Sequence, residues 1–230
     1  MLPFTPALME AYFIKRENRF VARILLAGAE HLAHVPNSGR MRELLTEGAK
    51  VYVQVQDLPH RTTKYDLVAV EYQGILVSID SRIPNKITPM IITTGVLKEL
   101  SAVEQYRGEV KLGQSRLDYW VKTGDAEWYI ETKSVTLVED GEARFPDAPT
   151  ERGSRHLLEL AQWVKLGGRA AAIFIIQRQD ARYFRPNDET DAVFGQTLRQ
   201  VAREGVMVKA FTCQVSHQGV ELCGEIPVRL

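Results

Sequence analysis

Residues 115–135 read SRLDYWVKTGDAEWYIETKSV, and this stretch decides how the second half of the chain folds. Two runs rich in β-branched and aromatic residues flank the short turn at residues 123–126, which predicts a β-hairpin. One face of that hairpin is apolar and suited to a core, with Leu117, Tyr119 and Val121 set against Trp128 and Ile130.

The opposite face of the predicted hairpin carries charge. If Lys122 pairs with Glu127, then Asp118 falls directly opposite Glu131, because both pairs of numbers sum to 249. Lys133 lies on the same face as Glu131, since successive side chains of a strand alternate between its two faces. Two carboxylates directly across a sheet repel each other, so this face requires a compensating charge.

A divalent cation supplies that compensation. Mg²⁺ prefers carboxylate oxygens, keeps several waters and often binds a substrate phosphate as well. The backbone carbonyl of Thr132 points near the same place, and Lys133 is suited to orient a metal-bound water or to neutralise developing negative charge. The pattern indicates Mg²⁺- or Mn²⁺-dependent phosphodiester hydrolysis with Asp118, Glu131 and Lys133 as catalytic residues. The alternative is a solvated strand face on which Lys133 pairs with one of the carboxylates.

The composition is that of a soluble globular protein. The 230 residues are 45% hydrophobic and 25% charged, with a formal net charge of zero. Balanced charge excludes a uniformly basic protein but allows a basic groove beside an acidic metal site. No segment is suited to cross a membrane or to direct export, so we expect a cytoplasmic protein. Cys213 and Cys223 flank a predicted turn that would place them opposite each other, and we expect both to be free thiols.

The pattern of predicted secondary structure changes near residue 83, which predicts two domains, 1–83 and 84–230. In the first, a long β-like stretch and four short strands predict a five-stranded OB-like barrel. These strands cover residues 11–26, 31–35, 51–55, 65–72 and 75–79. The second domain is predicted to be α/β. Helices are expected at 94–106, 154–166 and 190–204, and strands at 109–113, 115–122, 127–135, 170–176 and 206–215, before a terminal hairpin.

Four stretches resemble the sugar fermentation stimulation protein A (SfsA) family. They are residues 34–41 (HVPNSGRM), 115–118 (SRLD), 130–137 (IETKSVTL) and 145–153, continued by His156-Leu157 and Glu159-Leu160. The similarity covers nearly the whole chain, and motifs of this length rarely occur by chance.

The resemblance implies an N-terminal OB-like domain and a C-terminal domain similar to PD-(D/E)xK nucleases. It also implies DNA binding, with DNA favoured over RNA, and a link to the regulation of sugar (maltose) metabolism. In such nucleases the paired motifs carry two metal-binding acids and a lysine, which correspond here to Asp118, Glu131 and Lys133. The proline that names the motif is absent, since Leu117 precedes Asp118. A further metal-binding acid usually comes from the first helix, where Glu99 is favoured over Glu104.

Basic residues predict where nucleic acid binds. Two groups lie in the barrel, and a third lies at the start of the second predicted helix: Lys15, Arg16, Arg19 and Arg23; His60, Arg61 and Lys64; and Arg152, Arg155 and His156. OB barrels combine such residues with stacking aromatics. The alternatives are ordinary surface charge, an Arg155–Glu159 pair and a structural histidine.

The turn at residues 36–39 also has two interpretations. It is a structural turn in which Gly39 supplies a positive φ, or a backbone amide cradle for phosphate.

Three function classes therefore stand. The first is a metal-dependent nuclease. The second is a non-catalytic, weakly specific DNA-binding regulator that keeps the nuclease fold only for binding. The third is a protein-interaction module, for which no sequence feature argues directly.

Overall fold

A computed structural model describes residues 1–56, 59, 61–124 and 126–230. A short 3₁₀ helix, Lys98–Leu100, lies between α1 and β8. The other elements are β1 Leu2–Pro3, β2 Met9–Asn18, β3 Val21–Leu26, β4 Ala29–His34, β5 Lys50–Val55, β6 Tyr65–Tyr72, β7 Ile75–Ser78, α1 Ile83–Thr93, β8 Val103–Leu112, β9 Ser115–Thr123, β10 Ala126–Val135, β11 Val138–Glu139, β12 Glu142–Phe145, α2 Glu151–Lys165, β13 Arg169–Ile176, β14 Tyr183–Pro186, α3 Ala192–Arg203, β15 Met207–Val215 and β16 Gly219–Ile226.

Strands β2 to β6 form a closed five-stranded barrel, as predicted. The sheet runs β4-β3-β2-β5-β6-β7, and a short parallel pairing of β4 with β6 closes it. Alternate side chains of these strands fill one apolar core, which includes Phe13, Ile24 and Val70. The predicted long stretch at 11–26 is in fact the hairpin β2–β3, which turns at Arg19 and Phe20.

The second half is an α/β layer structure, also as predicted. Its seven-stranded sheet runs β1-β16-β15-β13-β10-β9-β8, so the N-terminal strand β1 belongs to this sheet. The central strands β10, β13 and β15 are parallel. β13 is apolar along almost its whole length because α1 covers one face of the sheet while α2 and α3 cover the other. A small sheet, β11-β12-β14, lies beside it.

The predicted helix at 94–106 is wrong. The helix lies earlier, at Ile83–Thr93, and residues 103–112 form β8. Proline lies near its start at Pro84, where a missing N–H costs nothing, but Pro89 lies inside it. Ile83, Ile87 and Ile91 are buried against the sheet, and this packing outweighs the penalty of the internal proline.

Gln177, at the end of β13, ties the barrel to the sheet. Its amide nitrogen donates to the carbonyl of Asp80 (3.1 Å) and to the hydroxyl of Ser134 (2.8 Å). Its amide oxygen accepts from the hydroxyl of Ser78, on the barrel strand β7, at 2.7 Å. Because Gln177 is fully buried, these bonds are costly to break, and they fix the barrel against the end of β10.

The cysteines are free, as predicted, but they are not opposite each other. A bulge after Thr212 in β15 pairs Cys213 with Leu222, so Cys213 is buried while Cys223 is exposed. Within the described residues, no helix combines the length and the apolar character needed to cross a membrane.

Candidate metal and nucleic-acid site

The β9–β10 hairpin has the predicted register. Five pairs connect the strands, from Ala126 with Thr123 to Ile130 with Tyr119. The backbone pairing of the two strands then stops. Beyond it, the side chain of Asp118 bonds to β10, since its Oδ2 accepts the backbone N–H of Thr132 at 2.7 Å. The carboxylate of Asp118 thus lies between the diverging strands. Leu117 packs in the cluster on the α2 side, away from the apolar face predicted for it.

Asp118 and Glu131 are close enough for their charges to oppose each other. Burial, reinforced by the charge of Glu131, raises the pKa of Asp118 above its usual range. The N–H of Thr132, the ammonium of Lys133 and the amide of Asn85 offset only part of this effect. The negative charge of Asp118 is therefore only partly offset by its protein neighbours, and a bound cation would offset more of it.

Glu131 is almost fully buried on β10, at 3% exposure. Its Oε1 accepts from Nδ1 of His156 (2.6 Å) and from the ammonium of Lys133. Burial raises the pKa of Glu131, but Lys133 and His156 outweigh that effect and hold it below its usual value. Its Oε2 is buried and has no hydrogen-bond partner in the described part of the chain. An ionised oxygen left in this state calls for a ligand.

His156, on α2, locks the orientation of Glu131. Nε2 of the ring accepts from the Nε–H of Arg152 at 3.3 Å. Nδ1 must then carry the hydrogen that faces Glu131, because an ionised carboxylate only accepts. The helix that places both residues begins at a Thr150 cap, whose hydroxyl accepts the N–H of Gly153 at 3.0 Å.

Asn85, on α1, is a site residue that the sequence analysis missed. Its Nδ2 donates to Oδ1 of Asp118 at 2.9 Å, and its backbone carbonyl accepts from the hydroxyl of Tyr119. Thr88, one turn later, contacts the hydroxyl of Thr132 at 3.0 Å. An Asn near Pro84 carries no sequence signal of its own, and it became visible only once α1 was placed.

The acids expected from the first helix lie elsewhere. Glu99 is in the 3₁₀ helix and forms an ion pair with Lys209 (3.0 Å), near the β9–β10 turn at the far end of β10. Glu104 is on β8 and pairs with Lys122 at 3.4 Å. The structure does not bring either of them to Asp118, because the helix that was to carry them is not formed.

The basic residues of β2 and β3 are used unequally. The guanidinium of Arg16 donates to the carbonyls of Asn37, Gly39, Arg40 and Arg19 at 2.6 to 3.0 Å. Burial lowers its pKa, and it holds a loop together instead of facing solvent. Lys15 and Arg23 share Glu17, at 3.7 and 2.7 Å, and Arg23 also binds Glu30. Only Arg19 is exposed with no side-chain partner among the described residues.

The second basic group is mainly structural at Arg61. Its guanidinium binds the carboxylate of Asp66, which is fully buried and also contacts Arg82 (3.0 Å) and His34 (3.1 Å). Lys64 is exposed. His60 lies outside the described residues.

Arg155 is exposed on α2, and the alternative of an Arg155–Glu159 pair is not formed among the described residues. The carboxylate of Glu159 instead accepts the N–H groups of Gln114 (3.2 Å) and Ser115 (3.1 Å), which secures the β8–β9 turn. Arg155 therefore has no carboxylate partner in the described ranges and remains available to an anion.

Gly39 is required for close packing, not for a positive φ. A Cβ there would lie 2.3 Å from Oδ2 of Asp147, and the residue in this turn region with a positive φ is Met41. Two amides of the turn are already occupied, which weakens a phosphate cradle: Asn37 N–H donates to the carbonyl of Val35, and Gly39 N–H to the side chain of Asn37. The structural interpretation of the turn is therefore the one that the contacts support.

A cleft of about 580 Å³ separates the barrel from the second half. Arg19 and the turn at residues 36–39 line one side, while Ser134 and Arg152 line the other, with Asp147 and Glu151. Arg152 contacts His156, which binds Glu131, so the Arg152 side of the cleft is joined to the carboxylate site by two side-chain contacts.

The residues present fit a divalent cation that needs only one or two charged ligands from the protein. Among the described residues, no group of three or more His, Cys, Asp and Glu side chains is placed to hold a metal. Two carboxylates are available, however, and one keeps a buried oxygen without a partner. Hard cations that retain several waters need no more than one or two carboxylates from the protein.

Comparisons with known proteins agree with this architecture. The family model described as the SfsA N-terminal OB domain matches residues 14–79, and the sugar fermentation stimulation protein RE domain matches residues 82–219. A sugar fermentation stimulation protein homolog of Desulforamulus reducens is 47% identical over 226 residues, covering 98% of this chain and 94% of the relative. One from Caldanaerobacter subterraneus is 44% identical, covering 97% of each.

A solved structure also matches the whole chain. The structure of Pyrococcus furiosus SfsA in complex with Ca²⁺ superimposes with a TM-score of 0.91 at 30% identity, covering 100% of this chain and 98% of that one. With two family models, curated relatives and this structure in agreement, the chain belongs to the sugar fermentation stimulation protein family.

Proposed function

We propose that this protein binds DNA and hydrolyses its phosphodiester bonds with the help of a divalent cation held by Asp118 and Glu131. The observation that carries the proposal is the buried Oε2 of Glu131, which has no partner in the described chain although it lies beside a second carboxylate. The archaeal relative was solved in complex with Ca²⁺, which supports a cation site in this fold. Mg²⁺ or Mn²⁺ is the proposed cofactor.

Separate residues of the chain would orient the cation and stabilise the transition state. Asp118 is held by the N–H of Thr132 and the amide of Asn85, and Glu131 by His156, so both carboxylates are oriented in advance. A bound divalent cation would polarise a phosphate oxygen and lower the pKa of a coordinated water. Lys133, which already contacts Glu131, places an ammonium where negative charge develops in the transition state. The carbonyl of Thr132 remains a proposed metal ligand.

DNA would reach the site along the cleft and the barrel. Arg19 and Arg152 line opposite sides of the cleft, and Arg155 is exposed one turn from the site. On the outer face of the barrel, Tyr12 and Leu32 are each 44% exposed beside the β3 strand. Basic groups next to exposed aromatic and apolar side chains are how OB barrels hold a strand.

The first test combines cleavage with binding. Purified protein is incubated with labelled single- and double-stranded DNA, and with RNA, in Mg²⁺, Mn²⁺ or EDTA. Asp118→Asn and Lys133→Ala should lose more than about 100-fold in cutting rate, since removing a group that only orients a metal ligand already costs roughly 10–100-fold. Asp118→Asn should bind DNA as well as the original protein or better, because phosphate repulsion falls.

Asp188→Asn serves as the matched control, since Asp188 is a half-buried aspartate outside the candidate site, paired with Arg199 (2.6 Å) on α3. Cutting that persists in EDTA, or that survives in Asp118→Asn, would overturn the nuclease proposal.

One observation favours a second candidate, a non-catalytic DNA-binding regulator. The ammonium of Lys133 balances the charge of Glu131 and His156 donates a hydrogen bond to it, so half of the carboxylate pair is satisfied without any cation. In that case DNA would be retarded but uncut, and Asp118→Asn and Lys133→Ala would behave alike. Both candidates are compatible with a role in regulating sugar (maltose) metabolism, which stays a prediction from the family.

A further inference from the structure

Asn85 occupies the place from which a helix can reach the metal site. Its backbone carbonyl is fixed by the hydroxyl of Tyr119, and Thr88, one turn along α1, contacts Thr132. These anchors lie on both strands that border the candidate cation position. The side chain of Asn85 is therefore held beside Asp118 by buried neighbours rather than by chance.

The chemistry of the carboxylate settles how the amide is turned. An ionised carboxylate can only accept hydrogen bonds, so the nitrogen of Asn85 must face Oδ1 of Asp118. The amide oxygen then points away from that contact, and it has no hydrogen-bond partner among the described residues. Asn85 is an exposed residue, so its amide is accessible to a hydrated cation.

We infer that Asn85 sets the affinity of the site for its cation. Its amide nitrogen positions Asp118, and its amide oxygen is offered to the cation, directly or through a water. This inference rests on the proposed function. It gives the site two carboxylates and one neutral oxygen in place of three acids.

The charge count has a consequence for affinity. Oxygen sites tune their affinity for divalent cations by the number of charged ligands. A neutral oxygen at position 85 keeps the cation weakly held and leaves it more positive charge to share with a phosphate. Substituting a carboxylate there should tighten binding of the ion, whereas removing the side chain should weaken it.

The test measures binding of Ca²⁺ and Mg²⁺ to the full-length protein by titration calorimetry, with circular dichroism to confirm folding. Asn85→Asp should tighten Ca²⁺ binding by about tenfold or more, and Asn85→Ala should weaken it by about three- to tenfold. Lys86→Gln is the matched control: it makes the same change in net charge at the neighbouring exposed residue of α1 and should leave affinity unchanged.

Asp118→Asn separates this inference from the proposed function. If Ca²⁺ still binds to Asp118→Asn with full affinity, the ion lies elsewhere and both are refuted. If that variant loses binding but Asn85→Asp and Asn85→Ala match the original protein, only the role of Asn85 is refuted. Equal tightening by Asn85→Asp and Lys86→Gln would also refute it, because the effect would then be one of general charge.

Discussion

Replacing the buried Asp66 of the barrel with Asn should substantially lower the free energy of unfolding. The carboxylate has no exposed surface, and its partners are the guanidinium groups of Arg61 and Arg82 and the imidazole of His34. Asn keeps the shape but removes the charge that these groups face. Breaking a buried pair by removing one partner costs roughly 3–5 kcal/mol.

The structure places the expected loss at the lower end of that range. Arg82 keeps a two-pronged contact with Asp80 (2.7 and 2.8 Å), so chiefly Arg61 is left uncompensated. A loss of about 3 kcal/mol corresponds to a fall in melting temperature of roughly 6–12 °C for a chain of this length. Asp188→Asn is again the control. That pair is only partly buried, and its loss should cost about 1 kcal/mol.

Scanning calorimetry at several pH values supplies the decisive comparison. Burial raises the pKa of Asp66, but Arg61 and Arg82 outweigh it and hold the pKa below the ordinary 3.8. The stability due to this charge is therefore present above pH 3.8 and is lost as the pH falls through the lower folded value. The difference in melting temperature between the original protein and Asp66→Asn should disappear over that pH range. A difference no larger than the one that Asp188→Asn causes, or one that does not change with pH, would refute the reasoning.

Three further changes probe other contacts. Iodoacetamide should modify Cys223 alone in the folded protein, because Cys213 is buried and burial raises the pKa of its thiol to about 12; mass spectrometry before and after unfolding distinguishes one label from two. Gly39→Ala should cost about 1–3 kcal/mol by urea unfolding, and adding Asp147→Ala should recover part of the loss, whereas additive effects would contradict the close approach. Arg16→Lys should lower the melting temperature without changing the salt dependence of DNA binding, because one ammonium cannot satisfy four carbonyls.

The hairpin that carries the site could be predicted because its information is local. Strict alternation of apolar and polar residues, with a short turn between, permits one register, since a slip by one residue would expose the core face. The same argument placed Asp118, Glu131 and Lys133 together. It could not show that the ladder stops at Ile130, since that depends on Asp118 binding the backbone of Thr132.

The missed features depend on contacts between distant parts of the chain. Helix α1 contains Pro89, a strong local signal against a helix, and is stabilised by burial against strands formed later in the sequence. Gly39 appeared to be a turn glycine, but its constraint is Asp147, more than a hundred residues away. Arg16 appeared to be a surface cation for the same reason: the carbonyls that it binds belong to another loop.

The environment of Glu131 explains why one site supports both proposed functions. Lys133 and His156 contact the same oxygen, Oε1, so the protein's own groups hold the side chain of Glu131 while Oε2 has no partner in the described chain. Binding a cation then requires no rearrangement of Glu131, and its main effect is to relieve the charge of Asp118, whose pKa is raised by burial and by Glu131. Under the proposed function, the balance between cutting and binding would depend on how tightly the remaining oxygens hold the ion, which is the property that the inference assigns to Asn85.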